Sequence, residues 1–364
     1  MIKKITAIAL CVAFAISLCS CTLRVDDGTS PSTGGAGRQT EAPSDSEPVM
    51  AGTDSVSTDA GSEPVESTSG TEEPDESTDE PIGSDDPQDV VEVGEYNVPT
   101  DLSFLDSIPR GHFSDKNPKD ANGCWYPGMT TRDLTTGNVT YNWDRAADTL
   151  ALVDKYQAIY RGSDTEKYVY LTFDCGYEYK TPDEYPDGVT NDILDTLKEK
   201  NAPGTFFVTG DYLKTDSDIV KRMLDEGHIV GNHTLNHYNM TTVTPETFVE
   251  QIDANNRLLK EKIPGAPDMV FYRPPEGGAN EWTLALANKM GLYTTFWSAT
   301  EADYNTSNQP DPAQTLHNDK VKLHNGCVYL LHAVSTTNAK ILADLIDYIR
   351  AEGYEIRPLD EFVR

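Results

Sequence analysis

His233 and His237 stand four residues apart, directly after the apolar run His228–Val230. On a helical turn that spacing puts both imidazoles on one side, as two ligands of one zinc-like ion require. Such a pair more often lies on a surface or caps a helix, but its place at a strand end reverses that reading. Asp174 closes Leu171-Thr-Phe-Asp, and Gly176 permits a tight backbone beside it. A carboxylate there can be a general base for a water that a metal polarises; alone, it is equally a loop cap. Arg273 precedes the rigid Pro274-Pro275 and can orient Asp174 through a bidentate pair. His332, after Leu330-Leu331, is the best general acid, because an imidazolium can protonate a departing amine near neutral pH. Asp303 can pair with it and raise its pKa. Trp297 can wall a substrate pocket. The chemistry is that of a hydrolytic metal site.

These residues need elements that bring them together. Strand-like runs are Tyr168–Phe173, Thr205–Val208, His228–Val230, Val270–Tyr272, Tyr293–Trp297, Val328–Leu331 and Tyr354–Ile356. Helical patterns lie at Ala146–Tyr160, Asp192–Lys200, Asp216–Glu226, Pro245–Lys262, Glu281–Met290, Asp311–Leu323 and Asn338–Glu352. This alternation makes an α/β fold, either a reduced (β/α) barrel or a doubly wound sheet. In both, the C-terminal strand ends open on one face, and polar residues around one rim favour the barrel.

The chain of 364 residues begins with a short positive head, Met1-Ile-Lys3-Lys4, and an apolar run from Ile5 to Leu18. The run has the proportions of a secretory signal and is short for a membrane span. Leu18-Cys-Ser-Cys21 is similar to a bacterial lipoprotein cleavage box, which makes Cys21 the candidate lipidated residue; an ordinary signal peptide is the alternative. Residues 21–92 are rich in Ser, Thr, Gly, Pro, Asp and Glu, and no Lys or Arg occurs between Arg38 and Arg110. Such a segment buries too little apolar surface to offset its ordering entropy and reads as a disordered, self-repelling tether. Much of the formal charge of -31 sits there, and it argues against nucleic acid as a partner. Residues 93–166 form a flank expected to pack on the barrel, with Trp125 and Tyr126 pinning it, and 167–364 carry the motifs. Outside the signal and Cys21 the cysteines are Cys124, Cys175 and Cys327, too sparse for a disulfide framework.

The motifs resemble those of the polysaccharide deacetylase (NodB-type carbohydrate esterase) family. Thr172-Phe-Asp-Cys-Gly-Tyr-Glu178 resembles its first motif, His233-Thr-Leu-Asn-His237 its second, Arg273-Pro-Pro its third and Leu330-Leu-His332 its fifth; Trp297 and Asp303 fit the looser fourth. Within the family the likeness is to the delta-lactam-biosynthetic de-N-acetylases and covers roughly Ala146 to Arg364. It implies a distorted (β/α) barrel of about seven strands, a divalent metal (Zn, or Mn or Co) and hydrolysis of a sugar N-acetyl group. The implied substrate is peptidoglycan, with N-acetylmuramic acid favoured. N-acetylglucosamine deacetylation, acetyl-xylan esterase activity and a non-catalytic wall-binding lipoprotein are the alternatives. The roles implied are Asp174, His332, Arg273 and Asp303 in catalysis, and Trp297, Tyr177, Pro275 and Glu276 at the substrate. His233 and His237 fall to the metal.

Three departures from the family pattern stand out. Cys175 replaces an Asp that ligates the metal in most members; it is either a soft third ligand or a bystander, with water or Asp174 completing the shell. Glu276 sits where a basic or aromatic residue is expected, against an anionic substrate. Tyr179 to Gly188 makes a longer loop, a lip over the site. The expectation is a monomeric, extracytoplasmic hydrolase, attached to the membrane through a lipid anchor only.

Overall fold

The computed structural model describes residues 94–108, 129–142 and 147–363. A hairpin of β1 (Met129–Arg132) and β2 (Val139–Asn142) precedes helix α1 (Ala147–Lys155). Strand and helix then alternate. The first half runs β3 (Tyr168–Cys175), α2 (Val189–Glu199), β4 (Thr205–Val208), α3 (Gly210–Thr215), α4 (Ser217–Asp225), β5 (Ile229–Asn232) and α5 (Pro245–Lys262). The second runs β6 (Phe271–Tyr272), α6 (Glu281–Lys289), β7 (Tyr293–Thr294), β8 (Ala299–Thr300), α7 (Pro312–Lys322), β9 (Cys327–His332), α8 (Thr336–Ala351) and β10 (Glu355–Ile356). The signal, Cys21, the acidic tether, Cys124, Trp125 and Tyr126 lie outside the described residues.

Strands β3 to β10 form one parallel sheet in the order β7-β6-β5-β4-β3-β9-β8, with β10 also on β3. Val169 pairs with Cys327 of β9 and with Ile356 of β10, so β10 shares with β4 the edge of β3 that β9 leaves free. Seven strand positions therefore run round the sheet. Its two outer strands, β7 and β8, are separated in sequence only by residues 295–298. The sheet must curl until its edges are one short span apart, which makes it a distorted barrel rather than an open doubly wound sheet. The run Tyr293–Trp297 is thus strand only as far as Thr294; the next strand, β8, begins at Ala299 beyond it.

Alternation along each strand sorts the core into layers. On β3, Val169, Leu171, Phe173 and Cys175 pack outward with residues of α2, α3, α4 and α8, including Leu194, Tyr212, Val220 and Leu345. Tyr170 points the other way, into a lumen it fills with Phe207, Phe271, Tyr293 and Val328. Helix starts carry local signals. Thr244 caps α5 with Pro245 at its first position, Asn280 and Thr283 form a capping box on α6, and Ser335 caps α8. The flank at 94–108 docks on the turn between α6 and β7 through Gly94 N–H to Gly291 O (2.8 Å) and Asn97 N–H to Met290 O (2.9 Å). The hairpin β1–β2 had no periodic signal in a Gly- and Asn-rich stretch.

Candidate active site

Register brings the proposed base and acid side by side. Asp174 of β3 pairs with His332 of β9, and both follow lumen-facing positions on their strands. Arg273, just beyond β6, is fully buried beneath them. Its Nη1 donates to Asp174 Oδ1 (2.8 Å), while Nη2 donates to Thr172 Oγ1 (2.8 Å) and Phe296 O (3.0 Å) and Nε to Thr295 O (3.2 Å). The expected bidentate pair is therefore corrected: the guanidinium spreads over four acceptors and holds one carboxylate oxygen. Its carbon lies 4.2 Å above the Phe207 ring, so the cation is fixed from the lumen side as well. Burial works to raise the Asp174 pKa, but Arg273, His233 and His332 outweigh it and hold the carboxyl below its usual range.

His233 and His237 meet, though not on a helical turn. Thr234 (φ 65°) and His237 (φ 55°) adopt left-handed backbone in the loop after β5, and the two rings stand edge to face with centroids 4.9 Å apart. His233 Nδ1 lies 2.8 Å from Arg273 O. A carbonyl only accepts, so Nδ1 carries the proton and Nε2 presents a lone pair. That Nε2 faces Asp174 Oδ2 at 3.5 Å. Burial keeps His233 below the ordinary imidazole pKa, and desolvation with the neighbouring His233 pushes His237 down to about 4 although that residue reaches the rim. Two neighbouring imidazoles that burial keeps neutral are nitrogen donors of the kind a divalent cation takes, and Asp174 Oδ2 lies beside His233. The residues present fit such an ion, though among the described residues no group of three His, Cys, Asp or Glu side chains stands as a ready-made cage.

Cys175 is not part of this set. It follows Asp174 on β3, so its side chain points to the other face, into the apolar layer under the helices, with no exposure. Burial there pushes the thiol well above its usual pKa, and Glu178 and Asp174 add to the rise. A protonated thiol outside the lumen is a packing residue, the bystander alternative.

On the far side, His332 Nδ1 lies 2.6 Å from Asp303 Oδ1, and His332 N–H donates to Asp303 Oδ2 (2.9 Å). Burial works against the imidazolium, but Asp303 outweighs it and raises the His332 pKa. The His332 side chain keeps 23% of its surface exposed while Asp303 keeps none, so the histidine can reach substrate and the aspartate cannot. Trp297 packs over Gly277, where an added Cβ would come within 2.7 Å of its ring. Pro275 is buried at the start of the short 3-10 turn Pro275–Gly277. Glu276 is exposed in left-handed backbone (φ 59°) and accepts from Asn239 Nδ2 (3.2 Å). Tyr177 is half exposed, with its hydroxyl 3.3 Å from Thr306 Oγ1. The sequence reading missed Thr172, whose place two residues before Asp174 marks it as lumen-facing, and the exposed Tyr304, whose ring lies 5.6 Å from that of His332.

The sequence pattern described as polysaccharide deacetylase matches residues 161–295. Peptidoglycan-N-acetylmuramic acid deacetylase PdaA of Bacillus subtilis is 38% identical over 213 residues, which cover 58% of this chain and 78% of the relative. The chain belongs to the polysaccharide deacetylase family. The structure of Bacillus subtilis PdaA, a family 4 carbohydrate esterase, superposes with a TM-score of 0.58 at 34% identity, covering 66% of this chain and 95% of that one. A peptidoglycan-N-acetylglucosamine deacetylase of Bacillus cereus is 34% identical over 152 residues, 42% of this chain and 52% of the relative. This polysaccharide deacetylase is thus a hydrolase of amide bonds, with the same distorted barrel. The matched span holds Asp174, Arg273 and the histidine pair; Asp303 and His332 enter from beyond it, on and near β9.

Proposed function

We propose that this chain removes the acetyl group from an amino sugar of peptidoglycan, with N-acetylmuramic acid as the sugar, outside the cytoplasm and tethered through Cys21. The observation that carries the reading is the pair Asp174 and His332 on adjacent strands, each oriented by a buried partner of opposite charge. The likeness to PdaA over 78% of that protein supports the muramic sugar.

His233 and His237 would hold a divalent ion next to Asp174, which when bound supplies Lewis acidity toward the acetyl carbonyl and lowers the pKa of water. Asp174 keeps Oδ2 free because Arg273 takes Oδ1, so this oxygen accepts a proton as water adds to the carbonyl carbon. The adduct collapses by breaking the carbon–nitrogen bond. His332 Nε2 gives its proton to the departing nitrogen, leaving acetate and a free amine. Arg273, buried under Asp174, holds the base and does not touch substrate, and Asp303 does the same for His332.

The test is mass spectrometry of purified peptidoglycan fragments after incubation with enzyme and Zn2+, Mn2+ or Co2+. Loss of acetyl from the muramic residue is expected. Loss from glucosamine alone would move the assignment to the other sugar, and no acetate release with any of the three ions would overturn the reading. Elemental analysis of the folded double variant His233→Ala/His237→Ala should show no stoichiometric metal.

A further inference from the structure

Asn338 occupies the third position of α8, with no role in the reading above. Its backbone N–H donates to the capping Ser335 Oγ (3.2 Å), and Ser335 N–H donates to His332 O (3.1 Å). The residue is therefore pinned by the helix start that follows the catalytic histidine. Its side chain is buried, and Nδ2 donates both to Asp303 Oδ2 and to His332 O (3.2 Å). Both partners only accept, so the amide orientation is settled by chemistry. The consequence is an Oδ1 with no hydrogen-bond partner among the described residues.

Asp303 then receives three donors: His332 Nδ1 on Oδ1, and His332 N–H and Asn338 Nδ2 on Oδ2. Without the amide, Oδ2 keeps only a backbone donor, and the carboxylate can turn about its own axis. Oδ1 would then leave the line of the imidazole. We propose that Asn338 is a positioning residue for the proton donor: it locks the Asp303 carboxylate so that His332 presents Nε2 to the leaving group in one orientation. The inference rests on His332 acting as that donor.

The experiment compares Asn338→Leu, Asn338→Asp and His332→Ala on an N-acetyl glycan and on 4-nitrophenyl acetate, whose phenolate leaves without a proton. A proton NMR spectrum follows the low-field signal of the His332 Nδ1 proton. Asn338→Leu and the same-sized Asn338→Asp are each expected to lower kcat on the amide about 10–100-fold, as losing an orienting hydrogen bond to a ligand or base does, with KM little changed. The loss on the aryl ester should be smaller, and the low-field signal should shift or vanish. If His332→Ala shows the amide–ester difference and the Asn338 variants do not, the positioning role is overturned and the acid stands. If His332→Ala itself slows both substrates equally, the acid assignment fails first. A low-field signal unchanged in both Asn338 variants would also overturn the proposal.

Discussion

At the scale of single residues, the site works by opposing burial with paired charge. Asp174 and His332 both lie where desolvation disfavours their ions, yet Arg273 keeps the first ionised and Asp303 keeps the second protonated to higher pH. The His332 shift sets the sign of a prediction. In the proposed mechanism activity needs the imidazolium, so raising its pKa extends activity toward alkaline pH. Asp303→Asn removes the largest charge that raises it, and the alkaline limb of kcat against pH should move down. Turnover below the limb should also fall, because Nδ1 loses its fixed acceptor. The limbs report the whole coupled site, so the shift between variants is the quantity to measure. An unmoved alkaline limb would assign it to a group other than His332.

At the scale of elements, strands β4 and β5 support the cation beneath the base. Gly231 on β5 pairs with Phe207 on β4, and a Cβ at Gly231 would come within 2.6 Å of the Phe207 ring and 3.1 Å of Phe271 O. The glycine leaves room for the ring on which Arg273 rests. Gly231→Ala should therefore destabilise the fold by about 1–3 kcal/mol, the usual cost of overpacking a core. It should also lower activity in the molecules that remain folded, because Arg273 and then Asp174 shift. Urea unfolding and kcat measured well below the transition separate the two effects. A variant that loses stability but keeps full kcat would show that the lumen adjusts without moving Arg273.

Across the whole molecule, stability follows from charge placement. Asp319 of α7 is fully buried, and neither carboxylate oxygen has a hydrogen-bond partner among the described residues. Burial, with Glu301 and Asp303 adding and Lys322 opposing, raises its pKa to about 7. The raised value means the neutral form favours the fold: that contribution is complete below the unfolded value of 3.8 and is lost as pH rises through about 7. Above that, the buried charge costs up to about 4 kcal/mol, at about 1.4 kcal/mol per pKa unit. Asp319→Asn should raise the Tm near about pH 8 and change it little near about pH 4; an equal effect at both would remove the titration as the cause. The acidic segment at 21–92 should be dispensable on dissolved glycan fragments. Because Gly94 and Asn97 bond to the turn that follows α6, a shortened chain should keep them and begin near Val93. Loss of most activity in that chain would give the tether a role in catalysis.

Much of this protein was legible in local pattern. Thr205–Val208 and Pro245–Lys262 coincide with β4 and α5, because their apolar period and the Thr244-Pro245 start are properties of neighbouring residues. The same period of two places Asp174 and His332 on lumen-facing rows, and it carried the information that Cys175 faces away, which reading the motif as a ligand string overlooked. Other features depended on contacts between distant segments. The histidine pair meets through left-handed backbone that no spacing rule specifies. Arg273 divides its fork between Asp174, Thr172 and two carbonyls because the chain between β7 and β8 crosses beneath it. Asn338 reaches Asp303 only once β9 and α8 are set against the β8 loop. Periodicity says which face a side chain takes, since that is fixed by its own backbone. Which partner it meets there depends on register and on where the sheet closes, and those are settled by packing over the whole fold.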